Sequence, residues 1–231
     1  MLNPNDLRFP PVELASQEGL LAMGGDLRAE RLLAAYRLGI FPWYNEGQPI
    51  LWWSPDPRAV LLPEKLKVSH SLRKTLRSGK FHVTFDRCFA NVVAACAGPR
   101  PQHPDGGTWI TPEMQDAYAE LHERGHAHSV EAWHDEHLAG GLYGVAIGGV
   151  FFGESMFSST TDASKVALVH ATRQLQRWNY AMIDCQLPTP HLESLGAETI
   201  ARDAYLALLR AALCLPGHTG EWRLDADLVI C

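Results

Sequence analysis

Cysteine is scarce in this chain. The five residues (Cys88, Cys96, Cys185, Cys214 and Cys231) are odd in number and include no Cys-x-x-Cys pair. That argues against a paired disulfide framework and fits reduced thiols in a cytosolic protein. Long apolar runs are also missing: none approaches the ~18 residues that a bilayer-spanning helix needs. The opening stretch Met1-Leu2-Asn3-Pro4-Asn5 lacks the basic and apolar blocks of a signal peptide, so a cytoplasmic protein without membrane contact is expected. No Gly-x-x-x-x-Gly-Lys phosphate loop occurs, nor the Arg/Gln-x-x-Gly-x-Gly/Ala signature of coenzyme A binding. Nothing in the motifs therefore supports a reaction that consumes ATP or acetyl-CoA. A basic excess is absent as well. The net charge is −6 with a pI near 6.0, which weighs against a generic nucleic-acid binder.

What is present is an ordinary globular balance, 46% hydrophobic and 20% charged, over 231 residues. That length allows one large domain or a medium and a small one. Two segments each place a carboxylate in an otherwise apolar run: Phe151-Phe152-Gly153-Glu154-Ser155-Met156-Phe157-Ser158 and Met182-Ile183-Asp184-Cys185-Gln186. Continuous apolar runs read as strands buried on both faces, where a carboxylate is costly unless partnered or used. The two segments are expected to end on neighbouring strands. Asp184 and Gln186, two apart, would point to the same face of theirs. Polar groups converging in an apolar pocket are the usual look of a binding or catalytic site.

Residues 1–60 read as a small, turn-rich α+β unit. In it Gly24-Gly25-Asp26 precedes a helix from about Leu27 to Leu38, stopped by Gly39. Three tryptophans (Trp43, Trp52, Trp53) follow, and Trp52 and Trp53 are expected in the core. Residues 61–231 alternate helices and strands. Thr111-Pro112-Glu113 starts a helix that Gly125 ends. Ser129–Trp133, His137–Ile147 and Val150–Phe157 form an antiparallel meander. Asp162 caps a helix to about Trp178, Ala181–Leu187 is a strand, and a last helix runs from Arg202 to about Leu213. Meander, helix, strand and helix resemble the core of the acetyltransferase-like (GNAT) α+β fold.

From Lys65 to Lys80 six basic residues occur with no acidic one. Arg73, Lys74, Arg77 and Lys80 could line a phosphate-contacting patch, or simply a solvated helix with cations near its C-terminus. Ser69 or Ser71 would start that helix and Gly79 would end it. His122-Glu123-Arg124-Gly125-His126 matches the zinc-protease pattern, which needs both histidines on one face of a continuous helix. Gly125 and the strand signal after it put the helix end inside the motif, and no metal or other cofactor is expected. Ser71-x-x-Lys74 lacks the partner motifs of a penicillin-recognising serine enzyme.

In order along the chain stand Gly19-Leu20-Leu21-Ala22-Met23-Gly24-Gly25-Asp26-Leu27, Gly39-Ile40-Phe41-Pro42-Trp43-Tyr44 and Leu51-Trp52-Trp53-Ser54-Pro55-Asp56-Pro57-Arg58. After them come Gly107-Thr108-Trp109-Ile110, His126-Ala127-His128-Ser129-Val130-Glu131, Gly153-Glu154-Ser155-Met156-Phe157-Ser158, Asp162-Ala163-Ser164-Lys165 and Ile183-Asp184-Cys185-Gln186. Together these eight stretches resemble the leucyl/phenylalanyl-tRNA–protein transferases. The resemblance implies a cytosolic aminoacyltransferase of bacterial N-end-rule degradation; with no heptad or large apolar surface stripe evident, a monomer is expected. It would move Leu or Phe from aminoacyl-tRNA to proteins beginning with Arg or Lys. It also implies a small N-terminal domain on an acetyltransferase-like C-terminal one.

By the same resemblance, Asp184, Gln186 and Glu154 form the reaction centre. Gln186 would contact the amine or carbonyl, Asp184 would orient it and balance the amine's charge, and Glu154 would bind the incoming N-terminal residue. Trp43 and Trp109 would hold the terminal adenosine of the tRNA. Leu142, Phe151, Met156, Leu168, Ala171, Leu175 and Ile183 would line the aminoacyl pocket; read without the family, each is ordinary core. Family members often carry bulkier residues at the positions of Ala171 and Leu175, which predicts a roomier pocket here. The rival readings are an acyl-CoA-dependent N-acyltransferase of the same fold, a non-catalytic tRNA-binding module and a zinc hydrolase.

Overall fold

A computed structural model describes residues 1–3, 5–98, 108–218 and 220–230. Pro4, Gly107 of the Gly107–Ile110 motif, and Cys231 lie outside the described residues. The first elements are β1 (Leu20–Met23), α1 (Ala29–Arg37), β2 (Phe41–Pro42) and β3 (Leu51–Trp53). The three strands pair antiparallel in the order β1-β3-β2. Trp52 is fully buried and donates Nε1–H to the Gly24 carbonyl at 2.8 Å, whereas Trp53 is only half-buried. Gly39 ends α1 with φ +74, and a Cβ there would lie 2.8 Å from the Tyr205 ring. Only glycine both adopts that turn and allows so close an approach.

Next come β4 (Arg58–Leu61), α2 (His70–Arg77), β5 (His82–Phe85), α3 (Phe89–Ala97) and α4 (Pro112–Glu123). They are followed by β6 (Ala127–His134), β7 (His137–Ile147), β8 (Val150–Ser158), α5 (Ala163–Arg177), β9 (Met182–Gln186), α6 (Pro190–Ser194), β10 (Glu198–Ile200) and α7 (Arg202–Leu213). Seven strands form one sheet in the order β10-β4-β9-β8-β7-β6-β5. The expected meander is β6–β7–β8, and the two acidic segments are neighbours. β8 and β9 pair in parallel with Phe152 opposite Asp184, while the other pairs are antiparallel. Gly144 lets β7 and β8 close up, since a Cβ there would lie 2.2 Å from the Phe152 carbonyl oxygen.

Side chains alternate across this sheet and build two cores. One face packs under α1, α3, α4 and α7, with Tyr36, Val92, Tyr118, Tyr143, Phe152 and Tyr205 fully buried. The other packs against α5 and α2, with Leu72, Leu142, Phe151, Ala171 and Ile183 buried. The expected caps of α4 and α2 hold. Thr111 Oγ1 accepts from Met114 N–H at 3.3 Å, and Ser69 Oγ accepts from Leu72 N–H at 3.2 Å. Asp162 departs from its expected role. Its φ is +71 and its side chain makes no capping bond; the carboxylate accepts from Lys165 Nζ at 3.0 Å and Thr75 Oγ1 at 3.2 Å.

Candidate active site

Glu154 owes its aim to a β-bulge. Pairing of β7 with β8 steps from Gly144 opposite Gly153 to Tyr143 opposite Ser155, so Glu154 is the extra residue. Bulges commonly re-aim a side chain beside a site. This one turns the carboxylate into the helix-covered core, where Tyr36 of α1 donates to Oε1 at 2.7 Å and Tyr118 of α4 donates to Oε2 at 2.7 Å. The two phenolic oxygens are themselves 2.6 Å apart. Gln186 Nε2 donates to Oε1 at 3.1 Å.

Glu154 is 9% exposed, and burial pushes its pKa up to about 7 against the pull of the two phenols. Geometry gives the same answer. Three short O···O contacts close a ring, and two phenols supply only two protons. The third must come from the carboxyl group, so the full ring exists only when Glu154 is protonated. Burial and the neighbouring Glu154 charge also hold both phenols well above the usual tyrosine range, which keeps them as donors.

Asp184 sits in the same core with a different set of partners. Arg58 of β4 donates Nε–H to Oδ1 at 2.9 Å and Nη2–H to Oδ2 at 2.7 Å. Tyr205 of α7 donates to Oδ2 at 2.7 Å, and the backbone N–H of Gln186 donates to Oδ1 at 2.9 Å. The guanidinium also lies over the rings of Phe41 (4.8 Å) and Tyr205 (4.6 Å), a cation–π sandwich. Asp184 is 0% exposed and Arg58 1%. Burial tends to lower the Arg58 pKa, but the charge and hydrogen bond of Asp184, with Tyr205 and Glu154, together outweigh it and the net shift is upward. A buried bidentate pair of this kind is fully matched. The charge expected to balance an amine is thus already paired with Arg58 in this structure.

Plain strand alternation does not bring Asp184 and Gln186 together. β4 and β9 step from Val60 opposite Asp184 to Ala59 opposite Gln186, which leaves Cys185 as an extra residue. Gln186 takes φ +63. Its backbone thereby reaches Asp184 and its amide reaches Glu154. The expected trio does meet, linked through Gln186. Sequence reasoning passed over Arg58, Tyr36, Tyr118 and Tyr205 as site residues. A signal existed for Arg58, which opens a short buried strand, Arg58–Leu61, where a lone charge needs a partner. The tyrosines sit on apolar helix stripes, and only a buried hydroxyl's need for a partner hints at their use.

The seven expected pocket residues gather on the opposite face of the sheet. Leu142, Phe151, Leu168, Ala171, Leu175 and Ile183 are buried together, with Met156 packed against them. Leu142 pairs opposite Met156, and Phe151 opposite Ile183. Trp43 is 42% exposed and Trp109 half-buried. Tyr44, beside Trp43, neighbours Thr111, two residues past Trp109. Arg73, Lys74 and Arg77 project from α2 and Lys80 follows it, all exposed; among the described residues none of the four is in an ion pair. As expected, α4 ends within the His122–His126 motif. It stops at Glu123, Gly125 takes φ +74, and His126 lies beyond the helix. Among the described residues, no helix is long and apolar enough to cross a membrane.

Comparison with known proteins assigns the chain. Residues 60–210 match the family model described as leucyl/phenylalanyl-tRNA protein transferase, and residues 25–56 match that family's N-terminal domain. A relative from Stutzerimonas stutzeri, named leucyl/phenylalanyl-tRNA–protein transferase, is 60% identical over 96% of this chain and 98% of its own. Relatives of the same name from Azotobacter vinelandii (59%, covering 96% and 97%) and Aromatoleum aromaticum (62%, covering 86% and 84%) agree. The solved structure of L-PGS from Bacillus licheniformis aligns at 13% identity over 80% of this chain and 70% of that one. Its TM-score is 0.36, too slight a likeness to bear on the argument.

Proposed function

The chain belongs to the leucyl/phenylalanyl-tRNA–protein transferase family, and from that premise we propose how its buried polar centre serves aminoacyl transfer. The enzyme moves Leu or Phe from aminoacyl-tRNA to the α-amine of proteins that begin with Arg or Lys. In doing so it marks them for N-end-rule degradation. It acts as a cytoplasmic monomer. Residues 1–60 form a small unit on an acetyltransferase-like unit of residues 61–231; a separate three-stranded sheet ending at Trp53 favours a small N-terminal unit, although β4 (Arg58–Leu61) already belongs to the larger sheet.

The observation that carries the reading is the Glu154–Gln186–Asp184 chain, in which a carboxyl poised near neutrality is tied to a fixed ion pair. A carboxylate in that position suits a cationic acceptor residue. Asp184 acts as a positioning residue: locked by Arg58 and Tyr205, it holds the Gln186 backbone in its left-handed turn. Gln186 presents its amide to the amine or the ester carbonyl. The donor ester is already activated, so no nucleotide is required. An α-amine with a pKa of about 7.7–8.0 is on the order of a tenth neutral at pH 7. Holding amine and ester together can then supply several kcal/mol, up to roughly 7–11.

The apolar cluster around Phe151 and Ile183 receives the Leu or Phe side chain past the end of the β8–β9 pairing, which stops at Phe152 and Asp184. Trp43 and Trp109 stack the terminal adenosine, and the α2 cations meet tRNA phosphates. The test is transfer of labelled Leu and Phe from charged tRNA to peptides differing only in residue one. Transfer to Arg and Lys peptides but not to Asp or Ala peptides is expected, with Phe accepted at least as readily as Leu in competition. Transfer indifferent to residue one, or none at all, would overturn the acceptor reading.

A further inference from the structure

Where β5, the last turn of α4 and the start of β6 meet, a second polar cluster lies outside the transfer chemistry. Asp86, His122 and His128 each offer a ligating atom there, and the three atoms lie within 4.8 Å of one another. The bonding fixes each imidazole's tautomer. His122 Nδ1 lies 2.8 Å from the Ala127 carbonyl oxygen, which can only accept, so Nδ1 carries the proton and Nε2 keeps its lone pair. His128 Nδ1 donates to Asp86 Oδ2 at 2.8 Å, which likewise leaves Nε2 with a lone pair. His128 is 1% exposed, yet its Nε2 has no hydrogen-bond partner among the described residues. Leaving a buried acceptor open is costly, so such an atom calls for an occupant.

The surroundings hold these rings in place. Phe89 stacks on His122 at 4.3 Å and Trp222 on His128 at 4.0 Å. Asp86 is itself fixed by the backbone N–H groups of Ser129 and Trp222, both at 2.9 Å. All three residues line a cleft of about 530 Å³ together with Glu123, His126 and Glu221. Histidines that give Nδ1–H to a carbonyl or carboxylate while Nε2 stays open match the usual outer bonding of metal-bound imidazoles.

We propose that His122 and His128, with Asp86 bracing His128 from its Nδ1 side, bind a divalent cation of the zinc class through Nε2. Imidazole nitrogen suits that class, and a carboxylate on the far nitrogen of a ligating histidine is its usual support. The site differs from the zinc-protease pattern in sequence, because the second histidine is His128 on β6 and not His126. Its role is structural. It joins α4 to β6 and, through Asp86 and Trp222, to the C-terminal stretch. Tyr118 stands one turn before His122 on α4, so the cation also steadies a donor to Glu154.

The experiment uses the untagged full chain stripped with chelator, titrated with Zn²⁺ by calorimetry and with Co²⁺ by visible absorption. One equivalent should bind, with a cobalt spectrum of nitrogen ligation and a rise in Tm. H122Q and H128N should each weaken binding by at least about 100-fold, and D86N by about 10- to 100-fold, as expected for a carboxylate bracing a ligand. H126Q should bind like the parent. Should H128N fail to fold, half-buried His122 carries the test alone. The proposal is overturned by an absence of saturable binding, by full-strength binding in H122Q, or by loss of binding in H126Q.

Discussion

Replacing Glu154 by glutamine should separate its two protonation states. Its pKa rises from 4.5 to about 7 in the fold. Between those values the folded chain keeps a proton that the unfolded chain has lost. Stability from Glu154 is thus fully present below pH 4.5 and is lost as pH rises through 7. At about 1.36 kcal/mol per unit, the shift amounts to roughly 3 kcal/mol. Glutamine reproduces the protonated ring at every pH: its amide donates to Tyr118, Tyr118 donates to Tyr36, and Tyr36 donates to the amide oxygen, which also keeps the Gln186 bond. Urea unfolding should then find E154Q about as stable as the parent at pH 5 and up to about 3 kcal/mol more stable at pH 8.

Activity should run the other way. The ionised carboxylate is the form that attracts a cationic acceptor, so kcat/KM for an Arg peptide should climb through pH 7 in the parent. E154Q should lose that step and about 10- to 100-fold in rate at pH 8, the scale of one charged hydrogen bond. The acceptor amine titrates identically in both proteins and cancels in the ratio. A stability difference that stays constant from pH 5 to 8 would refute the ring and the raised pKa together.

Arg58 and Asp184 should behave as one unit. R58M or D184L alone should cost about 3–5 kcal/mol, because each leaves a buried charge unmatched, while R58M/D184L should cost much less than the sum; additive losses in urea unfolding would dismiss the coupling. Trp43→Ala should cost only about 1 kcal/mol of stability, since it loses the ring pairing with Trp53 at 5.6 Å but keeps the backbone carbonyl that accepts from Trp53 Nε1–H. It should weaken aminoacyl-tRNA binding by about 1–3 kcal/mol, read by filter binding, and unchanged affinity would remove Trp43 from the adenosine site. Alanine at Arg73, Lys74, Arg77 and Lys80 together should lower the slope of log affinity against log salt by about 3, at roughly 0.7–0.9 per phosphate contact; an unaltered slope would return α2 to a merely solvated face.

The parts legible in the sequence are those whose signals are local. Thr111-Pro112-Glu113 starts α4 as read, and the expected meander forms, turning at Asp135-Glu136 and Gly148-Gly149. What the sequence hides is written in pairings far apart along the chain. β4 is four residues, all buried, with no alternation to betray it, and its Arg58 makes sense only beside Asp184, 126 positions away. Bulges are hidden for a related reason: one extra residue in β8 leaves the apolar pattern of Val150, Phe151 and Phe152 intact while it turns Glu154 toward the helices. Asp162 shows the converse, a residue with good capping chemistry whose carboxylate is drawn off by Thr75 and Lys165.

The two acidic segments look alike on paper because each is one carboxylate in an apolar strand. Their difference comes entirely from which side chains the other elements deliver. β4 and α7 bring Asp184 a guanidinium and a phenol, and its carboxylate is paired and spent on shaping Gln186. α1 and α4 bring Glu154 only neutral hydroxyls, so its charge is held near balance at working pH. Neighbouring acids held in such unlike environments can divide labour between positioning and binding. Exchanging their partners tests that division: a Tyr118→Arg protein should pair Glu154 with a cation, hold its carboxyl ionised well below pH 7, and abolish the pH step in acceptor binding even where the fold survives.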